Sequence, residues 1–165
     1  MYTLPRTAYP RKLPPTGIQY SAQPIHPLSP LERIKHQLAN VAASRMAINS
    51  LEGKYLPQII HTDEQIQGVV YGKSVDGMAM LIATDRRAIF LDKKPLFVNE
   101  DEVTYDVVSG VSHGHVGIGS TVTLHTRIKD FTIKTLNEKS ARIFIEAIEA
   151  RCVEHQRENI AHEQF

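Results

Sequence analysis

The stretch from Gly77 to Leu91 has the sequence Gly-Met-Ala-Met-Leu-Ile-Ala-Thr-Asp-Arg-Arg-Ala-Ile-Phe-Leu. Two apolar runs, Met78–Ala83 and Ala88–Leu91, flank the polar residues Thr84–Arg87. Each run is too short for a typical globular helix, and the pair is rich in Ile, Leu, Met and Phe. The stretch therefore predicts two adjacent antiparallel strands, joined by a tight turn that Asp85 is suited to begin.

The composition of the whole chain indicates one ordinary soluble domain with extensions. The chain has 165 residues, of which 42% are hydrophobic and 22% charged, so it can bury a core without disulfide bonds. A net charge of +1 argues against nucleic-acid binding. Cys152 is the single cysteine, which excludes an intrachain disulfide and a cysteine-based zinc cluster. No apolar run approaches the length of a membrane span or of a signal-peptide core, so we expect a cytoplasmic protein.

Residues 1–29 are rich in proline, and we expect them to form a disordered tail. Seven of the nine prolines lie within residues 1–30, together with three basic residues and no acidic one. Proline fixes φ and removes a hydrogen-bond donor, which disfavours helices and inner strands. Two sharper roles stay open. The three-residue spacing of Pro24, Pro27 and Pro30 suits a polyproline ligand, and the positive charges suit an anionic surface.

A capping box at Ser29–Glu32, with Pro30 at the first helical position, predicts an amphipathic helix over residues 30–53. Gly53 is suited to end it. One apolar stripe follows the helical spacing: Leu31, Ile34, Leu38, Val41 and Ile48. This stripe either packs on the domain that follows or serves as an assembly helix, since its spacing is close to a coiled-coil repeat until Arg45 interrupts it.

From Gln65 onward the apolar residues follow a period of two instead of a helical period. We predict about seven strands, mostly antiparallel because the connections are too short for crossovers. Residues 99–101 are predicted to form an acidic loop between two short strand pieces. The chain closes with an amphipathic helix capped by Asn137, and residues 154–165 are polar and expected to fray.

Residues 81–91 are similar to the apolar-Thr-Asp-x-Arg-apolar hairpin of bacterial pleckstrin-homology-like (PH-like) domains, including the YokE-like group. Supporting similarities are Val103–Tyr105 before Val108–Val111, and Ala141–Phe144 in the last helix. The resemblance covers residues 55–153. It implies an α+β fold with about seven antiparallel strands in two packed sheets, a partly open barrel, capped by a C-terminal helix. The helix ahead of this domain would be an addition to the fold.

The same resemblance implies a non-catalytic scaffold that binds lipids, proteins or further copies of itself. Lipid-binding members carry several basic residues in the first loop between strands, whereas the loop 72–77 offers only Lys73 against Asp76. Some bacterial PH-like proteins form rings by pairing sheet edges. We therefore expect a homo-oligomer or a protein-binding module without a cofactor. The alternative is a peripheral binder of anionic membrane lipid that uses the basic tail and the turn arginines.

The candidate binding residues are Lys73, Arg86 and Arg87. The two arginines either hold a phosphate or carboxylate ligand, or pair with Asp85 or another carboxylate and stabilise the turn. No nucleophile motif or paired-carboxylate spacing is visible in the sequence, and we expect no enzymatic activity.

His113 and His115 have the spacing of two metal ligands on one face of a strand, and His125 is a conceivable third ligand. The alternative is a glycine-rich segment with exposed histidines. Because the spacing supplies no further ligand, we expect no metal.

Overall fold

The computed structural model describes residues 27–163, so nearly all of the predicted tail at 1–29 lies outside the described residues. Three short helices precede seven strands, and a long helix follows them. The helices are α1 Pro30–Asn40, α2 Arg45–Asn49, α3 Leu51–Ile59 and α4 Glu138–Glu163. The strands are β1 Ile66–Ser74, β2 Gly77–Thr84, β3 Arg87–Lys93, β4 Val98–Thr104, β5 Val108–His115, β6 Ser120–Thr126 and β7 Phe131–Thr135. None of these helices is long and apolar enough to cross a membrane.

The single helix predicted over residues 30–53 is wrong, because the segment forms α1, α2 and α3. The first of these begins as predicted: the Ser29 hydroxyl accepts a hydrogen bond from the backbone N–H of Glu32, and the Glu32 carboxylate accepts one from the backbone N–H of Ser29. Ala42 then adopts a left-handed conformation with φ of 60°. This backbone geometry cannot continue a right-handed helix, so α1 ends there.

Two serines start the following helices. Ser44 accepts a hydrogen bond from Ala47 N at 3.1 Å, and Ser50 accepts one from Gly53 N at 3.0 Å. Gly53 therefore lies inside α3 and does not end a helix. A Cβ at this position would stand 2.4 Å from the carbonyl oxygen of Ala47, so the glycine permits the close approach of α2 and α3.

The seven strands form one antiparallel sheet in the order β4-β3-β2-β1-β7-β6-β5, and the prediction of two packed sheets is not confirmed. The two halves of the sheet, β1–β4 and β5–β7, are joined at one register pair, Lys73 and Lys134, which we call the seam. At the seam, a Cβ on Gly72 would stand 2.0 Å from the carbonyl oxygen of Lys134. Only glycine allows the two strands to approach this closely.

The sheet is strongly curved. Phe90 on β3 and Phe131 on β7 are three strands apart in the sheet order, which would separate them by roughly 14 Å in a flat sheet. Their ring centroids are only 5.1 Å apart. The curvature therefore brings the concave faces of the two halves together around a shared core.

Helices cover both faces of the sheet. We call the concave face under α4 the inner face, and the opposite face, under α1–α3, the outer face. The inner core includes Val70, Leu81, Phe90, Val122, Leu124, Phe131, Ile133, Phe144 and Ile148. The outer core includes Ile34, Leu38, Val41, Leu56, Val69, Met80, Ile82, Ile89 and Leu91.

The apolar stripe of the N-terminal segment packs on its own domain. Ile34, Leu38 and Val41 are buried in the outer core, and Ile48 packs against it. Leu31 is 38% exposed. Two roles were predicted for the stripe, and the stripe packs on its own domain. Its buried residues present no free surface for a partner.

Two further boundaries differ from the sequence prediction. The segment 99–101, which contains Glu100 and Asp101, lies within β4, because an edge strand facing water tolerates charged side chains. Asn137 caps α4 as predicted, accepting a hydrogen bond from Ser140 N at 3.2 Å. However, α4 continues to Glu163 through residues that were expected to fray. These residues are mostly good helix formers, which explains the continuation.

Candidate binding surfaces

The turn between β2 and β3 contains a largely buried ion pair instead of a free arginine. Arg87 Nε lies 3.0 Å from Glu64 Oε1, and its Nη2 donates to Glu64 Oε2 at 3.1 Å. The same Nη2 donates to the carbonyl oxygen of Ile59 at 2.8 Å, and Nη1 pairs with Glu102 of β4. The Arg87 side chain is 13% exposed and that of Glu64 is fully buried. Arg87 therefore ties the end of α3 to the sheet.

Hydrogen bonds around Glu64 stabilise its charge. Thr84 Oγ1 donates to Glu64 Oε1 at 2.7 Å and accepts the backbone N–H of Arg87 at 3.0 Å. Tyr105 donates its hydroxyl to the carbonyl oxygen of Thr84. Burial alone raises the pKa of the Glu64 carboxyl, but hydrogen bonds from Arg87 and Thr84 outweigh it and hold this pKa below its ordinary value. The threonine and arginine of the Thr-Asp-x-Arg pattern thus belong to a hydrogen-bond network that stabilises the turn.

Arg86 is exposed and pairs with Asp63, in the loop before β1. Asp85, the partner considered from the sequence, instead accepts the backbone N–H of Gln65 at 2.9 Å. Both turn arginines are therefore engaged with carboxylates, as the second of the two predicted roles requires. Local spacing could not identify these partners, because Asp63 and Glu64 lie more than twenty positions away along the chain.

The three predicted binding residues do not form one site. Lys73 lies at the seam near the β1–β2 turn, whereas Arg86 and Arg87 lie at the other end of β2. Lys73 is exposed, and its cross-strand neighbour is Lys134, for which no local sequence pattern predicted a role.

The three histidine side chains do not point to one common position where a metal ion could bind. His113 and His115 share a face of β5, with ring centroids 4.7 Å apart. His125 lies on the other face, where its ring contacts Ser112 Oγ and Asp130 Oδ2, each at 2.9 Å. Within residues 27–163 no group of three His, Cys, Asp or Glu side chains has the geometry of a metal site.

The two edges of the sheet differ in charge. Edge strand β4 carries Glu100, Asp101 and Glu102, which discourage pairing with another strand. Edge strand β5 has the sequence Val-Ser-Gly-Val-Ser-His-Gly-His, without Lys, Arg, Asp, Glu or Pro. Its residues from Ser112 to His115 are exposed, and its outer backbone edge has no hydrogen-bonded strand among the described residues.

A second exposed surface lies at the end of the sheet that carries the β1–β2, β3–β4 and β6–β7 loops, which we call the loop rim. Four apolar side chains on these loops are 60% to 96% exposed: Val75, Leu96, Phe97 and Ile128. The loops are close in space, since Val75, Asn99 and Lys129 line one cavity of about 210 Å³. Lys94 and Lys129 flank the apolar residues, and each has a carboxylate partner, Asp92 at 2.7 Å and Asp101 at 2.8 Å.

A curved antiparallel sheet with a C-terminal helix on its concave face is the architecture of PH-like domains. The profile of the bacterial PH domain family matches residues 60–150, more than half of the chain, and the chain belongs to this family. No curated protein matches the chain. It is also similar to the crystal structure of a DUF1696 family protein with a pleckstrin-homology domain from Shewanella loihica PV-4. The identity is 18%, the match covers 50% of this chain and 73% of that one, and the TM-score is 0.33.

Proposed function

We propose that this chain is a non-catalytic, cytoplasmic interaction module that assembles with further copies of itself through the outer edge of β5. Membership of the bacterial PH domain family supports a binding or scaffold role. The observation that carries the particular proposal is the absence of charge and proline from this edge of the sheet. Within the family, the hairpin Leu81–Leu91 supports a place in the YokE-like group.

A second copy of the chain fits the β5 edge better than it fits the β4 edge. Between Gly110 and His115 the strand pairs regularly with β6, so its outer hydrogen-bonding groups lie in a row. Two copies related by a two-fold axis would pair these edges in antiparallel fashion and join their sheets into one. The same arrangement at β4 would bring acidic side chains together, which repel.

The test measures solution mass by light scattering over a concentration series, for the full chain and two matched variants. His113→Lys places a charge on the β5 edge, and Asn99→Lys places the same charge on the β4 edge. We expect an oligomer for the native chain and for Asn99→Lys, and a monomer for His113→Lys. Circular dichroism verifies that both variants are folded. A monomeric native chain, or equal masses for all three proteins, would exclude this mode of assembly.

A second candidate function is contact with an anionic membrane, and the loop rim favours it. Exposed apolar side chains flanked by lysines suit the interface of a bilayer with negative headgroups. The sequence predicts this contact at the tail and the turn arginines. The tail lies outside the described residues, and the loop rim combines basic residues with strongly exposed apolar side chains.

Vesicle sedimentation tests this candidate. We expect binding to vesicles that contain phosphatidylglycerol, weaker binding at high salt, and loss of binding in the double variant Leu96→Ser/Phe97→Ser. Ile160→Ser, an exposed apolar residue near the end of α4, is the matched control and should bind like the native chain. Equal binding of native chain and double variant would reject the loop rim.

A further inference from the structure

A groove opens on the outer face of the sheet beside the seam, between the beginning of α2 and strands β1 and β7. Its volume is about 560 Å³, within the range of small-molecule sites. Its principal lining residues are Met46, Tyr71, Lys73, Met78, Lys134 and Leu136. We call it the seam groove. It is separate from the β5 edge and from the arginine turn.

The walls of the seam groove are largely apolar, although they face solvent. Met46 of α2 is 68% exposed, and Leu136, between β7 and α4, is 79% exposed. Met78 of β2 adds a second thioether. Unbranched methionine side chains adapt to the shape of an apolar ligand, and they are common on surfaces that bind flexible apolar partners.

Two lysines meet at one side of this apolar surface. Lys73 and Lys134 are directly opposite each other in the register pair of the seam, and both line the groove. Like charges in directly opposite positions of a sheet destabilise it. The ion pairs among the described residues include neither Lys73 nor Lys134. An anion between them would accept charge-assisted hydrogen bonds from both.

We propose that the seam groove binds a free acyl-chain anion of the fatty-acid class. The carboxylate lies between Lys73 and Lys134, and the chain lies along Met46, Met78 and Leu136. The combination of two unpaired ammonium groups with an apolar channel of this size selects an amphipathic anion over a purely ionic or purely apolar ligand. One wall belongs to α2, which precedes the family match at residues 60–150, so the site depends on the N-terminal extension of this chain.

Calorimetric titration of the full chain with dodecanoate, below its micelle concentration, tests the proposal. We expect saturable binding of one dodecanoate, and binding at least about tenfold weaker for dodecanol, which lacks the charge, and for butyrate, which lacks the chain. The double variant Lys73→Gln/Lys134→Gln should lose about tenfold in affinity or more. Lys54→Gln, an exposed lysine on α3, is the matched control and should bind like the native chain.

Several results would overturn the site. These are the absence of saturable dodecanoate binding, equal affinity of the native chain and the double lysine variant, or equal affinity for dodecanol. Binding to anionic vesicles without binding of monomeric dodecanoate would also overturn it and would favour the loop rim. Leu136→Ser provides a second probe of the apolar wall, and unchanged affinity in this variant counts against the proposed path of the chain. Because the β5 edge is not involved, failed assembly and failed ligand binding are distinguishable.

Discussion

Strands β2 and β3 are buried on both faces, whereas β6 and β7 are buried on the inner face only. The sequences differ accordingly. Met78–Ala83 is uninterrupted apolar, while β6 alternates Val122 and Leu124 with threonines. A strand covered on both faces needs apolar side chains in both directions. The uninterrupted apolar sequence of a strand therefore indicates that helices cover its outer face as well as its inner face.

Both layers of helix are also attached to the sheet by hydrogen bonds between side chains and backbone. Helix α4 packs through Phe144 and Ile148 in the inner core, and its Ser140 donates its hydroxyl to the carbonyl oxygen of Val69. In the outer layer, Gln37 Oε1 accepts from Ile66 N at 2.7 Å, and Glu52 Oε1 accepts from Lys93 N at 3.1 Å. Such bonds specify one position of the outer layer on an otherwise smooth aliphatic surface.

The largest effect on this comparison should come from Arg87, which fastens the outer layer to the sheet. Arg87→Met leaves the Glu64 carboxylate buried without its cation, and we expect the free energy of unfolding to fall by about 3–5 kcal/mol. Urea denaturation measures it. Arg86→Met is the matched control, because its pair with Asp63 is exposed, and it should cost far less. Similar losses in the two variants would show that the buried pair is not what attaches the layer.

The next largest effect should appear when residues on the outer face are compared between the two halves of the sheet. Ile82→Ala on β2 opens a cavity under the outer helices, and we expect it to cost about 2–5 kcal/mol. Thr132→Ala on β7 removes an outward side chain that has no helix above it, and its loss of a threonine pair should cost under about 1 kcal/mol. The free energies of unfolding from denaturant titration test the contrast, and equal costs would contradict the one-face assignment of β7.

A smaller effect should follow pH. The folded pKa of Glu64 lies below its ordinary value of 4.5, so its stabilisation is fully present above that pH and is lost as the pH falls through the folded pKa. We expect the native chain to lose more stability between neutral pH and about pH 3 than Glu64→Gln does, since the amide does not titrate. Thermal unfolding along a pH series measures this, and parallel curves would contradict it.

The smallest effect concerns Asn137, which links the two layers. Its side chain caps α4 and also donates to the carbonyl oxygen of Ala42, at the end of α1, at 2.8 Å. Asn137→Ala should cost about 1 kcal/mol. Asn137→Ser retains the cap and loses the link, so its cost in denaturation measures the link alone. A serine variant as unstable as the alanine variant would show that the link outweighs the cap.

Local patterns were sufficient to predict much of the fold. The hairpin of β2 and β3, the alternating strand β6 and the caps at Ser29 and Asn137 lie where the sequence placed them, because neighbouring residues determine each of them. The break at Ala42 was not predictable in the same way, since no glycine or proline marks it. The acidic part of β4 has the composition of a loop, and only its place at the sheet edge makes it a strand.

The candidate sites depended on contacts that are distant in sequence. The sequence presented Arg86 and Arg87 as available cations, but Asp63 and Glu64 come from the connection before β1. The seam groove was missed for the same reason. Lys73 and Lys134 are neighbours only because β1 pairs with β7, a pairing between the two ends of the domain that no local periodicity reports.

The seam has a consequence for how the molecule moves. With one register pair between β1 and β7, the two halves of the sheet are held together mainly by the shared core and by α4, which contacts β1 and β2 as well as β5 and β6. Local opening in proteins follows such weakly bonded boundaries and occurs in cooperative units. Amide hydrogen exchange should therefore separate β1–β4 from β5–β7 as two units with distinct opening rates. Slow local opening of the domain would then occur at the seam, and α4 would be the element that contacts both units.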